Sequence, residues 1–230
     1  MDQQKIIQQT ADFVKSKLYG QGTGHDWWHA SRVWKTALEI GKKEGADLFV
    51  VQLAALLEDI SDWKFNGGDT KASSKIAREF LTSIDVESSI IDHVCEIIET
   101  LTFKGAGVET AMRTLEGKIV QDADRLDAVG AIAIARTFAY GGYKQQEIYN
   151  PQIKPVLHQS FEQYKQSSKT SLNHFYEKLL LLKDRMNTNT GKKLAQERHE
   201  FMEKYLEQFF KEIGEDKLVF ESKVRENENS

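Results

Sequence analysis

Residues 48–57 read LFVVQLAALL, a run apolar on nearly every side, and the next two residues are Glu58 and Asp59. A helix with no polar face has to be surrounded, so this stretch should cross the centre of the core. The carboxylates at its end are then delivered among buried residues, where an isolated ionised carboxylate is too costly to desolvate without a partner. Only two prolines, Pro151 and Pro155, occur in 230 residues, which leaves the rest of the chain free for long helices. These features predict an all-α fold.

The helical pattern is legible along most of the chain. Ile6, Ile7, Ala11, Val14 and Leu18 recur at helical spacing before YGQGTG interrupts them. Asp26 stands at an N-cap position, with His29, Val33, Ala37 and Ile40 on one face of the helix that follows and Gly45 closing it. Asp47 can cap the LFVVQLAALL helix. Lys71–Leu81 and Val86–Leu101 read as two more helices, separated from the core helix by an Asn66–Asp69 turn. Ile119–Tyr140 reads as one alanine-rich helix with Asp124, Ala128, Ala131 and Ala135 on a face. Residues 141–159 are long and polar for a connector, which suggests a lid. Amphipathic helices over 172–186 and 193–211 follow, and they could support a homodimer. We expect one domain over residues 1–220 and a charged, frayed tail over 221–230.

Composition excludes several classes of function. The formal net charge of −4 gives no general attraction to nucleic acid, and no basic groove is evident. The single Cys95 cannot form an internal disulfide and argues against a thiolate metal site. No apolar stretch reaches the roughly 18 residues of a membrane span. The N-terminus MDQQKIIQQT is neither apolar nor basic, so a soluble cytoplasmic protein is expected.

His29, the Glu58–Asp59 pair and Asp124 lie in three separate helical segments, each among apolar residues. A bound cation is the simplest partner that could gather them. One imidazole and up to three carboxylates form a hard, oxygen-rich set that suits Mn²⁺ or Mg²⁺ first, with Fe²⁺, Zn²⁺ or Ni²⁺ as alternatives. Such an ion lowers the pKa of a bound water and polarises a phosphoryl oxygen, as phosphate-ester hydrolysis requires. Asp62, three residues after Asp59, could orient or deprotonate that water. Asp122 competes with Asp124, but two residues turn a helix by about 200°, so both cannot face one ion. His25 would reach the His29 face only if the helix began earlier than its glycines suggest.

GHDWWHASRV, ALLEDI and DADRLDA resemble the three ligand segments of the HD-domain metal-dependent phosphohydrolases, an all-helical superfamily acting mainly on nucleotides and phosphoesters. The resemblance places the ligands at His29, Glu58, Asp59 and Asp124 and implies an HD-type helical bundle with additional C-terminal helices. GHDWWH, FKG, QDADRLDA, IARTFAYGG and NHFYEKLL are similar to a bacterial branch that includes nucleoside triphosphate pyrophosphohydrolases. It therefore implies release of pyrophosphate or phosphate from a nucleotide by attack of a metal-bound water. One position departs: the usual ALLHDI is ALLEDI here, so Glu58 stands where the family has histidine. Glu58 either ligates the ion through oxygen or leaves a catalytically weakened nucleotide-binding or regulatory module.

An anionic substrate above a carboxylate-rich centre needs nearby cations. Lys64, just past Asp62, is the leading candidate together with Arg125; Arg32, Lys104, His174 and Lys178 are further candidates for contacting substrate. Asp122 and Asp127 are assigned to capping, pairing with Arg125 or supporting a ligand from behind. Tyr176 and the tryptophans Trp27, Trp28 and Trp34 serve either packing or the rim of the pocket.

Overall fold

The computed structural model describes residues 2–20, 26–61, 71–101, 110–157 and 170–226, and no strand occurs among them. The expectation of an all-α fold therefore holds. The chain forms two compact units, one of residues 1–102, 110–127 and 187–191, the other of residues 103–109, 128–186 and 192–230.

The first unit contains α1 (Gln3–Leu18), α2 (Trp27–Glu44), α3 (Leu48–Leu57), α4 (Ala72–Ser83), α5 (Ser88–Thr100) and α6 (Leu115–Asp127). α3 is the hub: it packs against α1, α2, α4, α5 and α6, and every residue from Phe49 to Leu57 is buried. Burial of each of Leu53, Leu56 and Leu57 contributes about 1.5–3 kcal/mol, which explains why this helix needs no polar face.

Local signals set its ends. Asp26 accepts a hydrogen bond from the His29 backbone N–H at the start of α2, and Gly45, at φ 74°, ends that helix in the left-handed conformation that glycine adopts without strain. Asp47 accepts from the Phe49 and Val50 N–H groups at the start of α3. These two capped helices and α6 touch one another pairwise, which brings the His29, Glu58–Asp59 and Asp124 segments together.

Asp122 is fully buried and accepts four hydrogen bonds, from Asn187 N and Nδ2 and from Thr188 N and Oγ1, at 2.7–2.8 Å. It therefore holds the approach to the helix that begins at Asn189, within the first unit, and faces away from the carboxylate cluster. Gly191 is required beside it, because a Cβ there would lie 2.4 Å from Asp122 Oδ2.

The second unit contains α7 (Ala131–Tyr143), α8 (Asn173–Glu177), a 3₁₀ segment (Leu179–Arg185), most of α9 (Asn189–Ile213) and α10 (Lys217–Glu226). Its core is aromatic: Phe175 stacks on Tyr205, and Tyr149, Phe210 and Phe220 meet at ring separations of 5.1–6.3 Å.

Three expectations need correction. Ile119–Tyr140 is not one helix: the chain breaks between α6 and α7 at Gly130, whose φ of 100° and ψ of −159° suit glycine alone. Residues 172–186 do not form one α-helix either, because Lys178 leaves helical geometry and the four leucines that follow form a 3₁₀ segment with Leu179 and Leu182 buried. α10 continues to Glu226, so the first six residues of the expected frayed tail are helical. The described part of the 141–159 segment is tied down by hydrogen bonds from Ser171 N to Glu147 O, Leu172 N to Ile148 O, Asn173 Nδ2 to Ile153 O and Val156 N to Glu177 Oε1. The Asn66–Asp69 turn lies outside the described residues.

Candidate metal centre

The cap that starts α2 fixes His29 in its first turn, and the imidazole is 1% exposed. Its two nitrogens face different surroundings. Nδ1 lies 2.7 Å from Asp127 Oδ2. Nε2 faces three carboxylates, with Glu58 Oε1 at 3.4 Å, Asp59 Oδ2 at 3.6 Å and Asp124 Oδ1 at 3.8 Å. Asp127 also accepts from Arg32, one turn along α2 from His29: Nε donates to Oδ1 at 2.7 Å and Nη2 to Oδ2 at 3.1 Å.

Three carboxylates around one imidazole repel one another, and the titration of the cluster records it. Burial pushes the Glu58 carboxyl up, and the charges of Asp124 and Asp59 push it further, to about 8. Burial works against a charged His29, but the hydrogen bond to Asp127 and the charges of Glu58 and Asp59 outweigh it and raise the imidazole to about 10. Without a cation the centre thus holds protons to balance its charge.

The donor set fits a divalent ion. Ligand atoms of His29, Glu58 and Asp59 lie within 4.8 Å of one another, and Glu58 Oε1 is buried with no hydrogen-bond partner. Ligands about 2.1 Å from an octahedral ion stand roughly 3.0 Å apart when adjacent and roughly 4.2 Å apart when opposite. The 3.4–3.8 Å separations around His29 Nε2 fall between those limits. Accessibility is graded, with side-chain exposure of 9% at Glu58, 19% at Asp59 and 37% at Asp124, so the solvent side of the cluster is at Asp124.

The other predicted residues are distributed differently. The Arg32 guanidinium is engaged by Asp127, and the buried Arg125 donates to Thr110 Oγ1 at 2.7 Å. His174 and Lys178 are half-buried at α8 and its end, in the second unit. Tyr176 is buried and packs its ring on Phe220, 5.1 Å away, which is a core role. Trp34 donates to Gln52, while the Trp28 ring is 58% exposed beside His29 in the chain. Asp62, Lys64, Lys104 and His25 lie outside the described residues. Asp127 is the residue whose place the sequence left open among three roles; its contact with His29 spans 98 residues of chain and has no local signature.

Comparisons with known proteins point the same way. Residues 27–129, which carry all three segments of the cluster, match the HD domain family. The chain is 38% identical over 214 residues to the uncharacterized protein YpgQ of Bacillus subtilis, covering 93% of this chain and 96% of that protein. A crystal structure of an HD-superfamily hydrolase from Bacillus thuringiensis is similar at 42% identity and a TM-score of 0.72, covering 93% of this chain and 100% of that one. The crystal structure of B. subtilis YpgQ in complex with ADP is similar at 38% identity and a TM-score of 0.74, covering 92% and 97%. No helix among the described residues is long and apolar enough to cross a membrane. With the three helices of the cluster, the family match and the relatedness over nearly the full length all in agreement, the chain belongs to the HD superfamily of hydrolases.

Proposed function

We propose that this protein is a divalent-metal-dependent phosphohydrolase that acts on nucleotides and releases pyrophosphate or phosphate. The observation that carries the reading is the convergence of Glu58, Asp59 and Asp124 on His29 Nε2 within 3.4–3.8 Å. The ADP complex of YpgQ supports a nucleotide as the substrate class. His29, Glu58, Asp59 and Asp124 would hold the ion, with Mn²⁺ or Mg²⁺ the best match to one nitrogen and several carboxylate oxygens. Bound there, a divalent cation supplies Lewis acidity toward a phosphoryl oxygen and an acidified water as nucleophile.

The chain's own residues do the rest. Asp62, three residues beyond Asp59 in the sequence, would take a proton from the attacking water. Lys64 and Arg125, from the segments that carry Asp59 and Asp124, are the candidates for neutralising the phosphates. The cytoplasm is the proposed location, and a homodimer the proposed assembly.

Glu58 decides between this reading and a nucleotide-binding module without turnover. Its carboxylate oxygen points at the imidazole that the other acids surround and is buried there without a hydrogen bond, which favours ligation. The test is a panel of nucleoside triphosphates and diphosphates with Mn²⁺ or Mg²⁺, read by pyrophosphate and phosphate release. Metal-dependent release that disappears in Glu58→Ala supports the proposal. Nucleotide binding without release, with activity appearing only in Glu58→His, overturns it in favour of the binding module.

A further inference from the structure

The sequence offers Arg32 as a phosphate contact, and in the structure its guanidinium is bound to Asp127. The Asp127 carboxylate receives three N–H groups: Arg32 Nε on Oδ1 at 2.7 Å, Arg32 Nη2 on Oδ2 at 3.1 Å, and His29 Nδ1 on Oδ2 at 2.7 Å. A guanidinium does not give up its protons, and its two donors make both oxygens of the carboxylate acceptors. His29 Nδ1 therefore faces an atom that can only accept, so Nδ1 carries the hydrogen. In the neutral ring that a metal ligand has to be, the nitrogen with the lone pair is then Nε2, the one that faces Glu58, Asp59 and Asp124.

The arrangement is rigid as well as directional. His29 and Arg32 sit three residues apart on one face of α2 and grip a single carboxylate on α6, which is 5% exposed. The planar fork of Arg32 fixes the plane of that carboxylate, and the carboxylate fixes the rotation of the imidazole. A lysine at 32 would keep the charge but not the two-point grip.

Resting on the metal-centre reading above, we infer that Arg32 and Asp127 are positioning residues: they form a fork that locks His29 in the Nδ1–H tautomer and aims Nε2 at the cation. Arg32 then acts on metal affinity through Asp127, without touching metal or substrate.

The test titrates Mn²⁺ by electron paramagnetic resonance against wild type, Asp127→Ala, Arg32→Met and Arg32→Lys. The ring nitrogens of ¹⁵N-histidine-labelled protein loaded with Zn²⁺ are observed in parallel, with the His29 signals assigned by their loss in His29→Gln. Loss of such supporting partners weakens metal binding by about 10–100-fold, and that is expected for Asp127→Ala and Arg32→Met. Arg32→Lys should recover part of the loss, and the Nδ1–H of His29, no longer held against a fixed carboxylate, should exchange with water faster in Arg32→Met than in wild type. Circular dichroism reports folding; should Asp127→Ala not fold, the two Arg32 variants carry the comparison. If wild type binds Mn²⁺ and Arg32→Met binds it equally with only a raised nucleotide KM, Arg32 is a phosphate contact and the inference is overturned. If wild type itself binds no Mn²⁺, the metal-centre reading fails, and the inference with it.

Discussion

Glu58→Gln should stabilise the metal-free protein and shrink the stabilisation that metal gives it. In the folded, metal-free protein Glu58 keeps its proton up to about 8, against an ordinary value of 4.5. Between these values the folded state binds a proton that the unfolded chain has released, so stability falls as pH rises through the interval. The interval sets a ceiling of about 5 kcal/mol on that loss. His29, raised to about 10, likewise holds a proton that the unfolded chain has released above its ordinary value, so it adds to the fall as pH rises. Glutamine copies the protonated acid. Metal-free Glu58→Gln and wild type should therefore melt together near pH 4, with the variant gaining on wild type as pH rises toward 8 and remaining the more stable at pH 9.

Mn²⁺ should act against the variant. At 100 times its dissociation constant an ion stabilises the folded state by about 2.7 kcal/mol, which for a chain of this size raises Tm by about 5–11 °C. Replacing one coordinating carboxylate by an amide, which weakens binding by about 10–100-fold on the scale of lost supporting contacts, would remove about 1.4–2.7 kcal/mol of that gain. Differential scanning fluorimetry without metal at pH 4, 6 and 9, and with Mn²⁺ at the two higher values, reads these conditions. A full wild-type metal shift in Glu58→Gln would show that Glu58 is a bystander at the end of α3.

The remaining predictions are shorter. Because His29 titrates near 10 and Glu58 near 8 in the metal-free centre, metal binding should release protons below those values and tighten as pH rises from 6 to 8; calorimetry in buffers of different ionisation enthalpy counts them, and binding without proton release would contradict the raised values. Gly191→Ala would put a Cβ 2.4 Å from Asp122 Oδ2 and should cost about 1–3 kcal/mol in urea unfolding. A loss below about 0.5 kcal/mol would mean that Asp122 can move off Asn187 and Thr188 with little penalty. Gly130→Ala, at φ 100°, should cost about 1–3 kcal/mol by the same measurement, and no loss would show that the α6–α7 break tolerates a side chain.

The fold was legible wherever its cause was local. Asp26, Gly45 and Asp47 mark the ends of α2 and α3 because capping uses side chains within three residues of the groups they satisfy. LFVVQLAALL announced the central helix through its composition alone. The break at Gly130 has no periodic signature, because the alanine pattern runs on across it and one glycine barely alters periodicity. The leucine run 179–182 has no period from which an α-helix and a 3₁₀ segment could be told apart.

At the candidate site, helical spacing says that Asp122 and Asp124 cannot both face one point, and the DADRLDA resemblance is what favours Asp124; Asp122 binds Asn187 and Thr188. The fork between Arg32 and Asp127 could not be read in advance. It depends on α2 and α6 meeting across 95 residues of chain, and an arginine near an acidic cluster reads equally well as a phosphate contact.

The central claim is that His29, Glu58, Asp59 and Asp124 hold one divalent cation. A crystal soaked in Mn²⁺ and measured at the manganese absorption edge tests it directly. The account predicts a single strong anomalous peak within about 2.0–2.3 Å of His29 Nε2 and of oxygens from Glu58, Asp59 and Asp124. A map with no peak there, or with manganese bound only elsewhere on the chain, would contradict it.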